Sequence, residues 1–381
     1  MRVLFVFKSE NFLAPIGLCM ISAVAKKFGH EVRLSEMNTD DTLKTVKDYN
    51  PHIVAYSSST GEAKHYLKMN DRIKEANPFI YTIMGGHHPT FFPEIINDSS
   101  LDAICQGEGE AAFADVLGGK SNIQNIRTKG SESLGLRKLV EDVDSLPFPD
   151  YSLMYDNTPL GKYPLKIFMA SRGCPYGCTY CFNPSWNKLY NGQKIVRRHS
   201  VDYIIDQILW VKRKWPLTTV KFYDDIFCYQ ADAWLEEFAK KYRRQVGLPF
   251  FILTRADLLT EDMTNLLKYA GVKTISMSLE SGNERIRNDL LKRHMSTESF
   301  IKAHELCRKY EITTFTNCII ALPTSRLKND IESLDLCIKC KVDWVEFVIF
   351  YPFPRTVLGD MCERMGLYKP DYNYNREIIY N

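Results

Sequence analysis

Three cysteines, Cys174, Cys178 and Cys181, stand in the stretch SRGCPYGCTYCFN. A CxxxCxxC spacing lets three thiolates hold one iron-sulfur cluster while a fourth ligand position stays open. A cluster that only carries electrons is closed by four cysteines. An iron without a protein ligand binds a substrate or cofactor directly, as an open catalytic zinc does. The same residues also fit reduced thiols in a loop or half of a zinc site. Zinc knuckles, however, pair two CxxC halves, and no second half stands nearby.

The elements that must position these thiols follow from the rest of the chain. Its 381 residues, 45% hydrophobic and 12% aromatic, suffice for two domains with large cores. Eleven cysteines without a secretory leader, and no apolar run near 18 residues, point to a reducing cytoplasm and no membrane span. With 49 basic against 46 acidic residues there is no electrostatic footprint for nucleic acid. The basic cluster Lys240, Lys241, Arg243 and Arg244 reads as a solvated helix face.

Residues 1–118 alternate short β-branched runs with amphipathic stretches. RVLFVF, EVRLSE, HIVAYSSS, YTIMGG and DAICQG predict five strands of a Rossmann-like, doubly wound parallel sheet, with helices such as 15–28 and 62–76 between them. Ligands of such sheets lie at the carboxyl ends of strands. The loops there are SSSTG at 57–61, GGHHPT at 85–90 and GEGE at 107–110. No GxGxxG follows the first strand, whose exit is FKSENFLAPIG, so a dinucleotide is disfavoured. Residues 119–163 lose periodicity and read as a linker. From 164 to 365, LKIFMASRG, TVKFYDD, FFILTRAD, TISMSLESG, TFTNCIIALP and VEFVIFYPFP predict six strands. Helices near 201–215, 231–245, 260–270, 296–310, 328–341 and 358–365 complete a partial (βα)6 barrel of the TIM type, and 366–381 form a short tail. Barrel chemistry collects at the carboxyl ends of strands. There stand the cysteine loop, Asp224 with Asp225, Arg255, and Ser278 with Glu280. An Asp pair at a strand end also suits a helix cap. Cys337 and Cys340, at helical spacing, read as core packing.

In order along the chain come APIGLCMISAVAKKFGHEVR at 14–33, GGHHPTFFPE at 85–94, QGEGE at 106–110 and DSLPFPD at 144–150. The cysteine loop follows with Tyr180 before its last cysteine, then FYDDIF at 222–227, LESG at 279–282 and YPFPRT at 351–356. Eight motifs in this order resemble the cobalamin-binding branch of the radical S-adenosylmethionine enzymes. The resemblance implies a 4Fe-4S cluster on the three cysteines and S-adenosylmethionine chelated to the open iron, an electron from the cluster releasing a 5'-deoxyadenosyl radical. It implies S-adenosylmethionine contacts from Tyr180, Asp224, Asp225, Arg255, Ser278, Glu280 and Arg293, the last as a partner for a carboxylate. It further implies cobalamin on the N-terminal domain, near Ser57, Ser58, Gly85, Gly86, His88 and Gly107. Because no DxHxxG occurs, cobalt carries no histidine, and His87 and His88 are loop residues. One departure stands out: the fifth barrel strand ends ALPTSR where relatives show a glycine-bracketed GLPGE-like turn, so the backbone contacts to adenine expected near Leu322 are not carried over.

The implied activity is methylation of an unactivated carbon in a small molecule, the substrate lying between the two domains and an external donor such as flavodoxin or ferredoxin supplying electrons. Two alternatives stand beside it. One keeps the radical for cyclisation, rearrangement or oxidation without methyl transfer; the other is a non-catalytic iron-sulfur redox or sensor protein. A methylthiotransferase is disfavoured, because its N-terminal domain holds three further cluster cysteines and this one has Cys19 and Cys105 alone.

Overall fold

The computed structural model describes residues 1–8 and 14–367, so part of the first strand's exit and the tail from 368 lie outside the described residues. The chain divides into two compact units. Of the described residues, Met1–Val140 and Ser145–Lys162 cluster in the first, and Glu141–Asp144 and 163–367 in the second.

In the first unit the strands are β1 (Arg2–Phe7), β2 (Glu31–Glu36), β3 (Ile53–Ser57), β4 (Tyr81–Gly85), β5 (Ala103–Cys105) and β6 (Ile126–Thr128). They pair in the order β2-β1-β3-β4-β5-β6, all parallel except β6, which runs antiparallel to β5. The five expected strands are present. The sixth has only three half-buried residues, too few to show a period. Helices α1 (Ile16–Lys27), α2 (Thr39–Tyr49), α3 (Ala63–Ala76), α4 (His87–Phe91), α5 (Glu110–Leu117) and α6 (Tyr151–Tyr155) intervene or follow. Both faces of the central strands are covered, which is why they read as unbroken apolar runs. Leu4, Val6, Val54, Tyr56 and Met84 pack with Val46, Tyr66, Met69 and Ile73 from α2 and α3, while Phe5 meets Phe113 of α5 at 6.1 Å.

The second unit opens with β7 (Leu165–Phe168), β8 (Ser171–Arg172), α7 (Asn183–Leu189) and β9 (Arg197–Arg198). It continues through α8 (Val201–Lys214), β10 (Thr219–Phe222), α9 (Ala233–Gln245), β11 (Phe250–Leu253), α10 (Glu261–Ala270) and β12 (Val272–Ser276). It ends with α11 (Thr297–Lys309), β13 (Thr313–Ile320), α12 (Leu327–Cys340), β14 (Trp344–Ile349) and α13 (Val357–Arg364). The six long strands lie side by side in chain order, all parallel, as a partial TIM-type barrel requires. Helix starts follow from local chemistry: Ser200, Asp232, Thr260, Ser296 and Thr356 each accept a backbone N–H of the turn they cap. Phe222, Phe227, Phe238, Tyr242 and Phe250 interlock between sheet and helices, with ring centroids as close as 4.7 Å. That cluster fixes which face of β10 and β11 points outward to the helices.

At the turn after β13 the backbone keeps the conformation that glycine would favour. Ala321 has φ 56° and Thr324 φ 66°, both left-handed. A side chain there, above all a β-branched one, strains the turn. Ala321→Gly and Thr324→Gly are each expected to raise stability by about 1 kcal/mol in urea unfolding; a loss of stability in both would show that the turn is not strained.

Candidate functional site

The cysteine loop is held from three sides. Ser171 Oγ donates to Asp224 Oδ1 at 2.6 Å and the Ala170 amide donates to Asp224 Oδ2, which ties the entry of the loop to the end of β10. Gly173 takes φ 87°, and a Cβ there would stand 2.4 Å from the Ile195 carbonyl oxygen, so only glycine fits. Thr179 donates from its amide and hydroxyl to the carbonyls of Leu291 and Leu290, and its own carbonyl accepts from Leu358. Asn187 Nδ2 donates to the Cys174 carbonyl, and the Asn183 amide points at Cys181 Sγ.

Beside the thiols lies a cavity of 170 Å³. Its walls include all three cysteines with Tyr180, Asp225, Arg255, Ser278, Glu280 and Arg293, so the barrel brings together every residue anticipated for this site except Asp224. Asp224 is buried behind the wall, where its carboxyl serves Ser171 and Ala170 and burial pushes its pKa up to about 7. Asp225 opens onto the cavity yet is crowded by protein, which raises its carboxyl above the ordinary range against a hydrogen bond from Asn183.

Glu280 is the most constrained residue of the wall. It sits one bridge beyond β12, opposite Cys318, in left-handed conformation with φ 67°. Such a conformation in a buried glutamate is held by its surroundings. Its amide donates to the Asn317 carbonyl and its carbonyl accepts from Ile319. The Tyr180 hydroxyl donates to Glu280 Oε1 at 2.7 Å and accepts from Arg293 Nη1 at 3.3 Å. It bridges two charges whose own closest approach is 3.9 Å. Burial raises the Glu280 carboxyl, while Arg293, Tyr180 and Ser278 oppose the shift. Arg293 also donates to the Ser278 carbonyl, and Arg255 to the Arg293 carbonyl and Asp257. The Arg255 guanidinium lies over the Tyr176 ring at 3.9 Å.

Two donors in this buried set have no partner among the described residues, Arg255 Nη1 and Arg293 Nε. An unspent buried N–H is costly, and the carboxylate of a ligand bound in the cavity would supply an acceptor. Burial pushes the Cys174 thiol up to about 11 and Cys181 up to about 12, so thiolates form here with a bound cation to offset their charge. Among the described residues no three His, Cys, Asp or Glu side chains converge on one ion. Three thiols lining one cavity suit the separate irons of a cubane cluster. Sequence reasoning missed Tyr176, Asn183, Thr254 and Ser276, which also line the cavity. Strand periodicity was the available signal for Ser276, two residues before Ser278 on the same face.

In the first unit the strand-end loops knit together. The Ser58 amide donates to the Gly85 carbonyl, the His88 amide to the Ser58 carbonyl, and Thr90 Oγ1 links the Gly86 carbonyl to the Gly107 amide. Gly86 has φ 97°, and a Cβ there would stand 2.7 Å from the Ser58 oxygen. Ser57, Gly85, Gly86 and Gly107 stay half-buried at the rim, whereas Ser58 and His88 lie inside. His88 stacks on Phe92 at 5.1 Å, and burial lowers its pKa to about 3. Backbone amides, small residues and one serine at a rim without an exposed metal-binding imidazole from His88 fit a cobalamin tail held without that ligand.

Residues 2–117 match a family model described as a B12 binding domain, and residues 169–345 one described as the radical SAM superfamily. An uncharacterized methyltransferase of Pyrococcus horikoshii is 23% identical over 91% of this chain and 78% of its own length. The cytidylyl-2-hydroxyethylphosphonate methyltransferase of Streptomyces wedmorensis is 25% identical over 95% of this chain and 80% of its own. Among solved structures, the radical S-adenosylmethionine methyltransferase TsrM from Kitasatospora setae, with cobalamin and a 4Fe-4S cluster bound, superposes with a TM-score of 0.76. It is 14% identical, over 95% of this chain and 78% of that one. Among the described residues no helix is long and apolar enough to cross a membrane.

The bridge through Tyr180 carries an expected outcome. Tyr180→Phe should cost about 1–3 kcal/mol in chemical denaturation of the cluster-free protein. Glu280→Ala, which strands the buried Arg293 charge, should cost more, about 3–5 kcal/mol. Equal or reversed costs would mean that the pair is not coupled as drawn.

Proposed function

Because this chain belongs to the cobalamin-binding radical S-adenosylmethionine enzymes, carrying both domains in that order, we propose that it methylates an unactivated carbon of a small-molecule substrate. When bound, the cluster with S-adenosylmethionine supplies a carbon-centred radical and cobalamin supplies the methyl group. The observation that carries the reading is the one cavity shared by three thiols, two carboxylates and two arginines with unspent donors.

In this reading Cys174, Cys178 and Cys181 hold the cluster. Asp225 faces the cavity as a partner for the ammonium of S-adenosylmethionine, and Arg255 and Arg293 offer their unspent N–H groups to its carboxylate. Glu280, fixed by Tyr180, orients Arg293 and Ser278 rather than reaching far into the cavity. Asp224 acts through Ser171 as the brace of the loop. In the first domain Ser57, Gly85, Gly86 and Gly107 form the rim for the corrin tail. The relative named for a cytidylyl-2-hydroxyethylphosphonate makes a small-molecule substrate the natural expectation. An external flavodoxin or ferredoxin would deliver electrons, in the cytoplasm.

Anaerobic reconstitution with cobalamin and methyl-labelled S-adenosylmethionine tests the proposal. Label should appear on a carbon product, and deoxyadenosine should accumulate; deoxyadenosine without labelled product would instead indicate radical chemistry without methyl transfer. Alanine at any one of Cys174, Cys178 or Cys181 should remove the cluster iron and all deoxyadenosine. Asp225→Ala should weaken S-adenosylmethionine binding roughly tenfold or more with iron content intact. His88→Ala should leave the cobalt absorption spectrum unchanged, and loss of a nitrogen-ligated spectrum in that variant would refute the coordination assigned here.

A further inference from the structure

The interior face of the barrel carries a charge that the cofactor site does not use. On β10, Val220 and Phe222 point to the helices, with Phe222 packed on Phe238 of α9, so Lys221 and Tyr223 take the opposite face. Lys221 stands in register with Phe251, and Phe251 with Thr274. The Lys221 ammonium lies 4.9 Å from the Phe251 ring centroid and 5.1 Å from that of Tyr223; among the described residues these rings are its only direct contacts.

Across the same face stands Glu346 on β14. Cys318 turns its thiol toward Cys337 of α12, so Asn317 beside it faces inward, and its amide donates to Glu346 at 2.9 Å. Strands β10 and β14 are four places apart, about 19 Å along a flat sheet. The sheet of a partial barrel curls into a trough, and on its wall Glu346 opposes the lowering of the ammonium's pKa by burial. No ion pair joins the two charges on this trough wall. Aromatic surface flanks it: Tyr223 is 45% and Trp344 65% exposed. Tyr223 lies two residues before Asp225, Phe251 two before Leu253, and Thr274 two before Ser276, and those three successors line the cysteine cavity. Two residues of strand span about 7 Å, so these residues form the layer of the inner face next to the cavity wall.

We propose that this trough holds the substrate, and that the substrate is a planar organic anion whose carboxylate or phosphoryl group is bound by Lys221. The assignment rests on the radical-enzyme reading above, and it names the substrate class that reading leaves open. An ammonium flanked by rings has lost part of its hydration without gaining a hydrogen-bonded ion pair, so an oxyanion entering the trough gains charge-assisted hydrogen bonds. A cation in the same place meets repulsion. Tyr223 and Trp344 offer apolar surface to the body of the ligand, with a reacting carbon directed toward the cavity.

The test is calorimetric titration of the anaerobic, cluster-loaded protein containing S-adenosylmethionine with 2-naphthoate, phenylphosphonate and the neutral 2-naphthamide. At least one anion should bind tenfold or more tighter than the amide, and which anion binds tighter identifies the group recognised. Lys221→Gln should abolish that preference, and Lys221→Arg should retain it, which separates a lost charge from a damaged fold. Amide binding equal to that of the anions, an undiminished preference in Lys221→Gln, or no anion binding at all would overturn the proposal. A protein that cleaves S-adenosylmethionine but shows no anion preference defeats this inference alone. One that shows the Lys221-dependent preference but never cleaves S-adenosylmethionine defeats the radical reading and leaves the anion site standing.

Discussion

The pair of buried charges Glu280 and Arg293, joined through the Tyr180 hydroxyl, organises the catalytic unit. Each of the three residues comes from a different piece of chain: the end of β12, the segment beyond 290, and the cysteine loop itself. A buried charge without its partner costs several kcal/mol, so the loop cannot drift from the strand end without exposing that cost. The left-handed backbone at Glu280 is held by separate backbone bonds to Asn317 and Ile319. Thr179 and Asp224 add two further anchors, one to Leu290 and Leu291 and one through Ser171. The thiols are therefore presented by a fixed frame, which a cluster with one open iron needs.

The two aspartates of FYDDIF divide labour by strand geometry. Successive side chains leave a strand end in opposite directions. One turns inward to brace the loop, and the other opens on the cavity. Both carboxyls are raised by burial, but the Asp224 oxygens accept from protein donors, whereas Asp225 faces ligand space. The same period-2 logic runs down the barrel interior. It places Tyr223, Phe251 and Thr274 one layer from Asp225, Leu253 and Ser276, so the proposed anion site and the cofactor cavity are successive layers of one face.

Composition, spacing and periodicity by themselves determined the order of elements and the two sheets, and singled out three cysteines of one loop as candidate cluster ligands. Those properties are local: apolar periods set helices and strands, caps such as Ser200 and Thr260 set helix starts, and three cysteines seven residues apart end to end must share a loop. The residues facing the cavity at strand ends were legible for the same reason. Only the tertiary structure decided the rest. The short β6 pairs because β5 offers it an edge, a fact that three residues cannot encode. The burial of His88 against Phe92, the partition between Asp224 and Asp225, and the Tyr180 bridge across a hundred residues depend on which groups share space after folding. Likewise the turn at Ala321 and Thr324 keeps a glycine-like backbone without glycine, because contacts around it outweigh local preference. Pairing energies between distant side chains and the desolvation of each charge arise from packing, and no window of sequence contains them.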